Sequence, residues 1–130
     1  MKRLLSAFST AFLLAGCAFS PSWFDSNEQS RITDIVMMSS NPEVCADNAK
    51  ARGNAIQLHD ATAWLVVYGS MLPNNEKLVD AYKNLDGITS DFARRYTNET
   101  PSATYCKLKL KNINEASNLV LSTSGRRPRP

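Results

Sequence analysis

The chain has 130 residues, with 15 lysines and arginines against 12 acidic residues, a single histidine and three cysteines. Two basic residues, Lys2 and Arg3, open it, and three more, Arg126, Arg127 and Arg129, lie in its last five positions. Residues 17–125 therefore hold the remaining 10 basic residues against all 12 acidic ones, a slightly acidic balance that speaks against a nucleic-acid binder.

After Lys2 and Arg3 comes an apolar run from Leu4 to Leu14, interrupted only by small hydroxyl residues. A charged start and an apolar stretch too short to span a bilayer form the pattern of a secretory signal. The run ends on Leu14-Ala15-Gly16-Cys17 rather than on an A-x-A-like site. This segment resembles the lipobox of bacterial lipoproteins at all four positions. The resemblance implies that Cys17 is diacylated on sulfur, that the chain is cut before it and that the new amine is acylated. The competing reading is a plain secretory signal with an incidental cysteine. An Asp after the lipidated cysteine tends to hold that family in the inner membrane. Ala18 stands there instead, which implies an anchor in the outer membrane with the domain on its periplasmic face.

On this reading residues 1–16 are the signal peptide and residues 17–25 a lipidated tether. The tether spans at most about 28 Å between Cys17 and Asp25, so the folded part stays close to the bilayer. Trp23 and Phe24 are expected to cap the core from below rather than to touch the membrane. The remaining cysteines, Cys45 and Cys106, would lie in an oxidising periplasm, where a disulfide is the simplest state and two free buried thiols the alternative. Their separation of 61 residues makes such a bridge worth about 4 kcal/mol in the chain-entropy account.

Ser26-Asn27-Glu28-Gln29 reads as a capping box with Ser26 as the cap. Ile32, Ile35, Val36 and Ser39 then recur at helical spacing, so the first predicted helix covers Asn27 to Ser39. Asn41 suits an N-cap and Pro42 the first helical position, which predicts a second helix from Pro42 to about Gly69. Its two stripes, Cys45-Ala49-Ile56-Ala63-Val66 and Ala51-Ala55-Leu58-Thr62-Leu65, predict a helix packed on two sides. Gly53 is an expected bend.

Gly69-Ser70, Pro73 and Asn74-Asn75 break the chain. A third helix follows from about Asn75 to Tyr96 with Leu78, Tyr82, Leu85, Phe92 and Tyr96 inward, and Asp86-Gly87 is an expected kink. Thr100 as cap and Pro101 at the first position start a fourth helix, carrying Ala103, Cys106, Leu110, Ile113 and Val120 inward to about Leu121. Cys106 to Lys111 also alternates like a strand, but no partner strand is in sight. Short connections make helices two and four parallel, which brings Cys45 and Cys106 to the same end. The predicted fold is all-α: a small up-down four-helix bundle over residues 26–122 with one disulfide.

Residues 123–130 form a basic, proline-rich tail, expected to be disordered or extended. His59 has no H-x-x-x-H, C-x-x-C or nucleophile elbow around it, and is expected to be an ordinary surface or half-buried residue. Arg94-Arg95 and Lys107, Lys109 and Lys111 read as solvated faces. No metal, cofactor or catalytic residues are expected, so the predicted function is non-catalytic.

A small acylated four-helix body with one disulfide, and within it "NETPSATYCKLKLKNI" around the second cysteine, resembles the pilotins of type II secretion. Those lipoproteins bind a C-terminal helix of the secretin subunit in a groove and carry it to the outer membrane. The resemblance implies a secretin-like or other envelope protein as partner, with Tyr82, Phe92 and Tyr96 as candidate partner-binding residues. The second reading is an exclusion or immunity lipoprotein from a plasmid, phage or toxin locus.

Overall fold

Asp25 starts the first helix in the computed structural model, which describes residues 22–130. Its carboxylate accepts from the Asn27 and Glu28 backbone N–H groups, both at 2.9 Å. The cap is therefore one residue earlier than the capping-box pattern predicts, and Ser26 is the first residue of α1, Ser26–Ser39. An ionised Asp outcompetes a neutral Ser for these N–H groups and suits the positive end of the helix dipole. The predicted signal peptide and the predicted lipid attachment at Cys17 lie outside the described residues.

The second predicted helix is two elements. Asn41 does cap, accepting from the Glu43 N–H, but it caps a short 3-10 helix, Pro42–Ala46. Asp47 then leaves the helical region and caps anew: its side chain accepts from Ala49 and Lys50, and α2 runs Asn48–Ser70. Those two N–H groups hold the exposed Asp47 carboxyl below its usual range. α2 buries Ala51, Ala55, Leu58, Ala61, Thr62 and Leu65. The other predicted stripe stays largely outside, with Ala49 exposed and Ile56 40% exposed.

α3 runs Glu76–Asn98 and buries Leu78, Tyr82, Leu85, Phe92 and Tyr96, as the periodicity predicts. Ser102, not Thr100, caps α4 by accepting from the Tyr105 N–H, and α4 runs Ala103–Gly125, beyond the predicted end. Neither Gly53 nor Gly87 interrupts its helix; packing along both neighbours outweighs a glycine cost of about 1 kcal/mol. The segment with strand-like alternation after Cys106 is helical throughout.

α2 packs against α1 and α3, and α4 against α1 and α3, so the four helices close a ring around one core. The up-down path has two ends. At the far end the Cys45–Cys106 disulfide ties the 3-10 helix to the start of α4, with the Cα atoms 5.7 Å apart. At the near end meet residues 22–25, the α2–α3 turn and the tail. The turn reverses through Asn74 at φ 57°, a left-handed conformation that asparagine tolerates better than most residues.

Candidate functional site

Tyr82 and Phe92 have no exposed surface and Tyr96 is 5% exposed. The three candidate partner-binding residues are thus core, corrected by their burial: they sit on the one face of α3 that meets both neighbours. Phe92 packs edge-on against Tyr96 with ring centroids 5.4 Å apart, and tilted against Tyr105.

One cleft open to solvent, of about 640 Å³, lies between α1 and α2. Met37, Met38, Ala61 and Trp64 give it an apolar floor and walls, while Arg31, Asp34, Gln57 and Asp60 form its rim. Met37 is 67% exposed, so much of this apolar surface meets water. Trp64 is held in place from two sides: it stacks on Tyr68 with centroids 4.4 Å apart, and the Arg31 guanidinium lies 5.1 Å over its ring. The Tyr68 hydroxyl is fixed in turn, donating to Asp25 Oδ2 at 3.2 Å and accepting from Asn27 Nδ2 at 3.0 Å. A preset aromatic wall beside two adaptable methionines is the make-up of a site for apolar side chains. Periodicity alone does not reveal it, because Trp64 lies on neither of the apolar stripes of α2.

A second group of polar residues lies at the near end and is closed to solvent. Glu28 is fully buried, and its Oε1 accepts from Asn75 Nδ2 at 2.7 Å and from the Tyr82 hydroxyl at 2.9 Å. Its Oε2 accepts from Arg127 Nη2 at 2.7 Å, and the Arg127 side chain is 8% exposed. Arg127 Nη1 also donates to Ser22 Oγ and to Asn75 Oδ1. The tail predicted to be disordered or extended is therefore fastened: its guanidinium closes the bottom of the bundle, and the Phe24 N–H donates to the Pro128 carbonyl at 2.8 Å. Both Glu28 oxygens and both terminal Arg127 nitrogens have partners within the protein, so the network locks elements together. Sequence reading passed over it, although Glu28 stands four residues before Ile32, on the buried stripe of α1, where a carboxylate demands a partner.

His59 comes closest to a chemical group. Its Nδ1 lies 3.2 Å from Asp86 Oδ1 but out of line for a hydrogen bond. Thr62 Oγ1, buried, lies 2.8 Å from the same carboxylate oxygen and 2.6 Å from Thr89 Oγ1. Thr62 Oγ1 also lies 3.0 Å from the His59 carbonyl oxygen. The group joins α2 to α3. Arg94 pairs with Asp91, Arg95 with Glu99 and Lys111 with Glu115, while Lys109 lies 5.7 Å over Tyr105. Among the described residues no cluster of metal-ligating side chains is present, and no helix is long and apolar enough to cross a membrane.

The chain matches no protein-family model, no curated protein and no solved structure.

Proposed function

We propose that the chain is an outer-membrane lipoprotein, acylated at Cys17, that works without catalysis as a binding or assembly factor on the periplasmic face. Its partner is an envelope protein offering an apolar-faced helix, as a secretin subunit does to a pilotin, and the receptor is the α1–α2 cleft. The observation that carries this reading is the uncovered apolar floor of that cleft, with Trp64 preset between Tyr68 and Arg31. Helix-in-groove recognition needs anchors at i, i+3, i+4 and i+7 meeting such a floor inside a polar rim.

A photo-crosslinking residue in place of Met37 tests it in intact envelopes. The expected result is a single crosslinked envelope protein, lost on Trp64→Ala while the melting curve is kept. Crosslinks that form only from Leu108 or Leu119, on the opposite helix α4, would move the site elsewhere. If Trp64→Ala melts early, Trp64 is a packing residue and the cleft reading fails.

A further inference from the structure

The near end of the bundle gathers exposed apolar and basic side chains. Trp23 is 49% exposed and Met71 76% exposed, and Leu72 beside them is half-buried. Trp23 therefore does not cap the core, as the sequence suggests; that place belongs to the Arg127–Glu28 pair. Arg126 and Arg129 are exposed on the same end. Its three segments are held as one surface: Ser22 Oγ donates to Asn75 Oδ1 at 2.9 Å, Phe24 N–H to Pro128 O, and the Arg129 guanidinium lies 4.7 Å over the Phe24 ring. The far end carries Glu43, Asp47 and Glu99 in its turns and exposed Lys50, Arg52, Arg94, Arg95 and Lys107 on the adjoining helix ends. Glu99 is paired with Arg95.

The near end thus exposes an aromatic ring, a methionine and two arginines, with half-buried Asp25 and exposed Glu76 at its edge. Ser22 stands five positions after Cys17, a reach of at most about 18 Å. An aromatic ring with arginines beside it is the pattern that settles at a lipid headgroup layer.

From this we infer that the near end stands directly on the phospholipid surface, with Trp23 and Met71 at headgroup level and Arg126 and Arg129 against lipid phosphates. The bundle is oriented by this contact and does not swing on its tether. Trp64 lies six residues before the end of α2 and Gln57 thirteen, so the α1–α2 cleft rises from about 9 Å to about 20 Å above that end. The inference rests on acylation of Cys17.

The test uses the mature protein purified from envelopes and reconstituted into phosphatidylethanolamine–phosphatidylglycerol vesicles, its acylation read from the mass of the N-terminal fragment. Trp64→Phe leaves Trp23 as the sole tryptophan. Trp23 should be quenched by lipids brominated near the headgroup and shielded from aqueous iodide. Reversing both charges, Arg126→Glu with Arg129→Glu, should return both signals toward their values in detergent, since each basic residue is worth roughly fivefold at an anionic surface. An acylated protein whose Trp23 stays open to iodide and untouched by bromine overturns the contact alone. A mature protein without acyl mass overturns the anchor and, with it, this inference.

Discussion

Glu28 and Arg127 are the residues on which the near end depends. Ninety-nine positions apart, they form a buried ion pair in which both Glu28 oxygens and both terminal Arg127 nitrogens have partners. Removing one member leaves the other charged and unpaired in the interior, which costs about 3–5 kcal/mol. Arg127→Ala is therefore expected to lower the unfolding free energy by that amount. Glu28→Leu with Arg127→Met should be less damaging than Arg127→Ala, because it leaves no orphan charge; urea melts of the variants measure both. Tyr82 shares the network. Burial, and then the Glu28 carboxylate, raise its phenol far above the ordinary value, and burial raises Tyr96 too. The unfolded chain gives up these protons near pH ~10, so above that the unfolded state binds fewer protons and stability falls as pH rises. Tyr82→Phe should flatten this alkaline loss in melts run across that range, leaving the share due to Tyr96. Phe92→Ala is expected to cost roughly 3–5 kcal/mol, as a core residue and not a partner anchor. Helical spacing places an aromatic on a face; it does not say whether that face is covered, which is why Tyr82, Phe92 and Tyr96 were legible as inward but not as enclosed.

Helix existence was legible at the level of elements, and helix ends were less so. The α3 face agrees with the pattern residue for residue. The break at Asp47 does not announce itself, because Pro42 and Asn41 form a start signal that is used by a single 3-10 helix, and a second cap five residues after Pro42 then restarts the chain. Gly53 and Gly87 suggested bends that tertiary packing overrides. A Cβ at either meets nothing within 4 Å, so Gly53→Ala and Gly87→Ala should each stabilise by about 0.5–1 kcal/mol. Gly69 is different. A Cβ there would stand 2.8 Å from the Tyr82 ring, and Gly69→Ala should destabilise by displacing that ring from its bond to Glu28. Thermal melts of the three alanine variants should therefore move in two directions; three shifts of the same sign would mean that the α2–Tyr82 contact is not tight.

The whole molecule is fastened at opposite ends by different chemistry, a covalent bond at one and a buried polar network at the other. The disulfide was legible because topology and cysteine arithmetic agree on it. The network was not, since it depends on a tail whose composition suggests disorder. Reduction should lower stability by about 4 kcal/mol, the entropy of the closed loop, and Arg127→Ala should add to that loss nearly independently, because the two fastenings share no partner. The α1–α2 cleft lies along the side of this doubly fastened body, and exposed Trp23 and Met71 mark the end nearest the tether. Both features acquire a role only if the chain is tethered by its first mature residue. Cells producing the wild-type chain or Cys17→Ser, fed a palmitate analogue and separated into soluble, inner-membrane and outer-membrane fractions, measure this directly. Label and protein should be found together in the outer-membrane fraction for the wild type, and Cys17→Ser should lose both. Label retained by Cys17→Ser, or an unlabelled wild-type chain in the soluble fraction, would contradict the account.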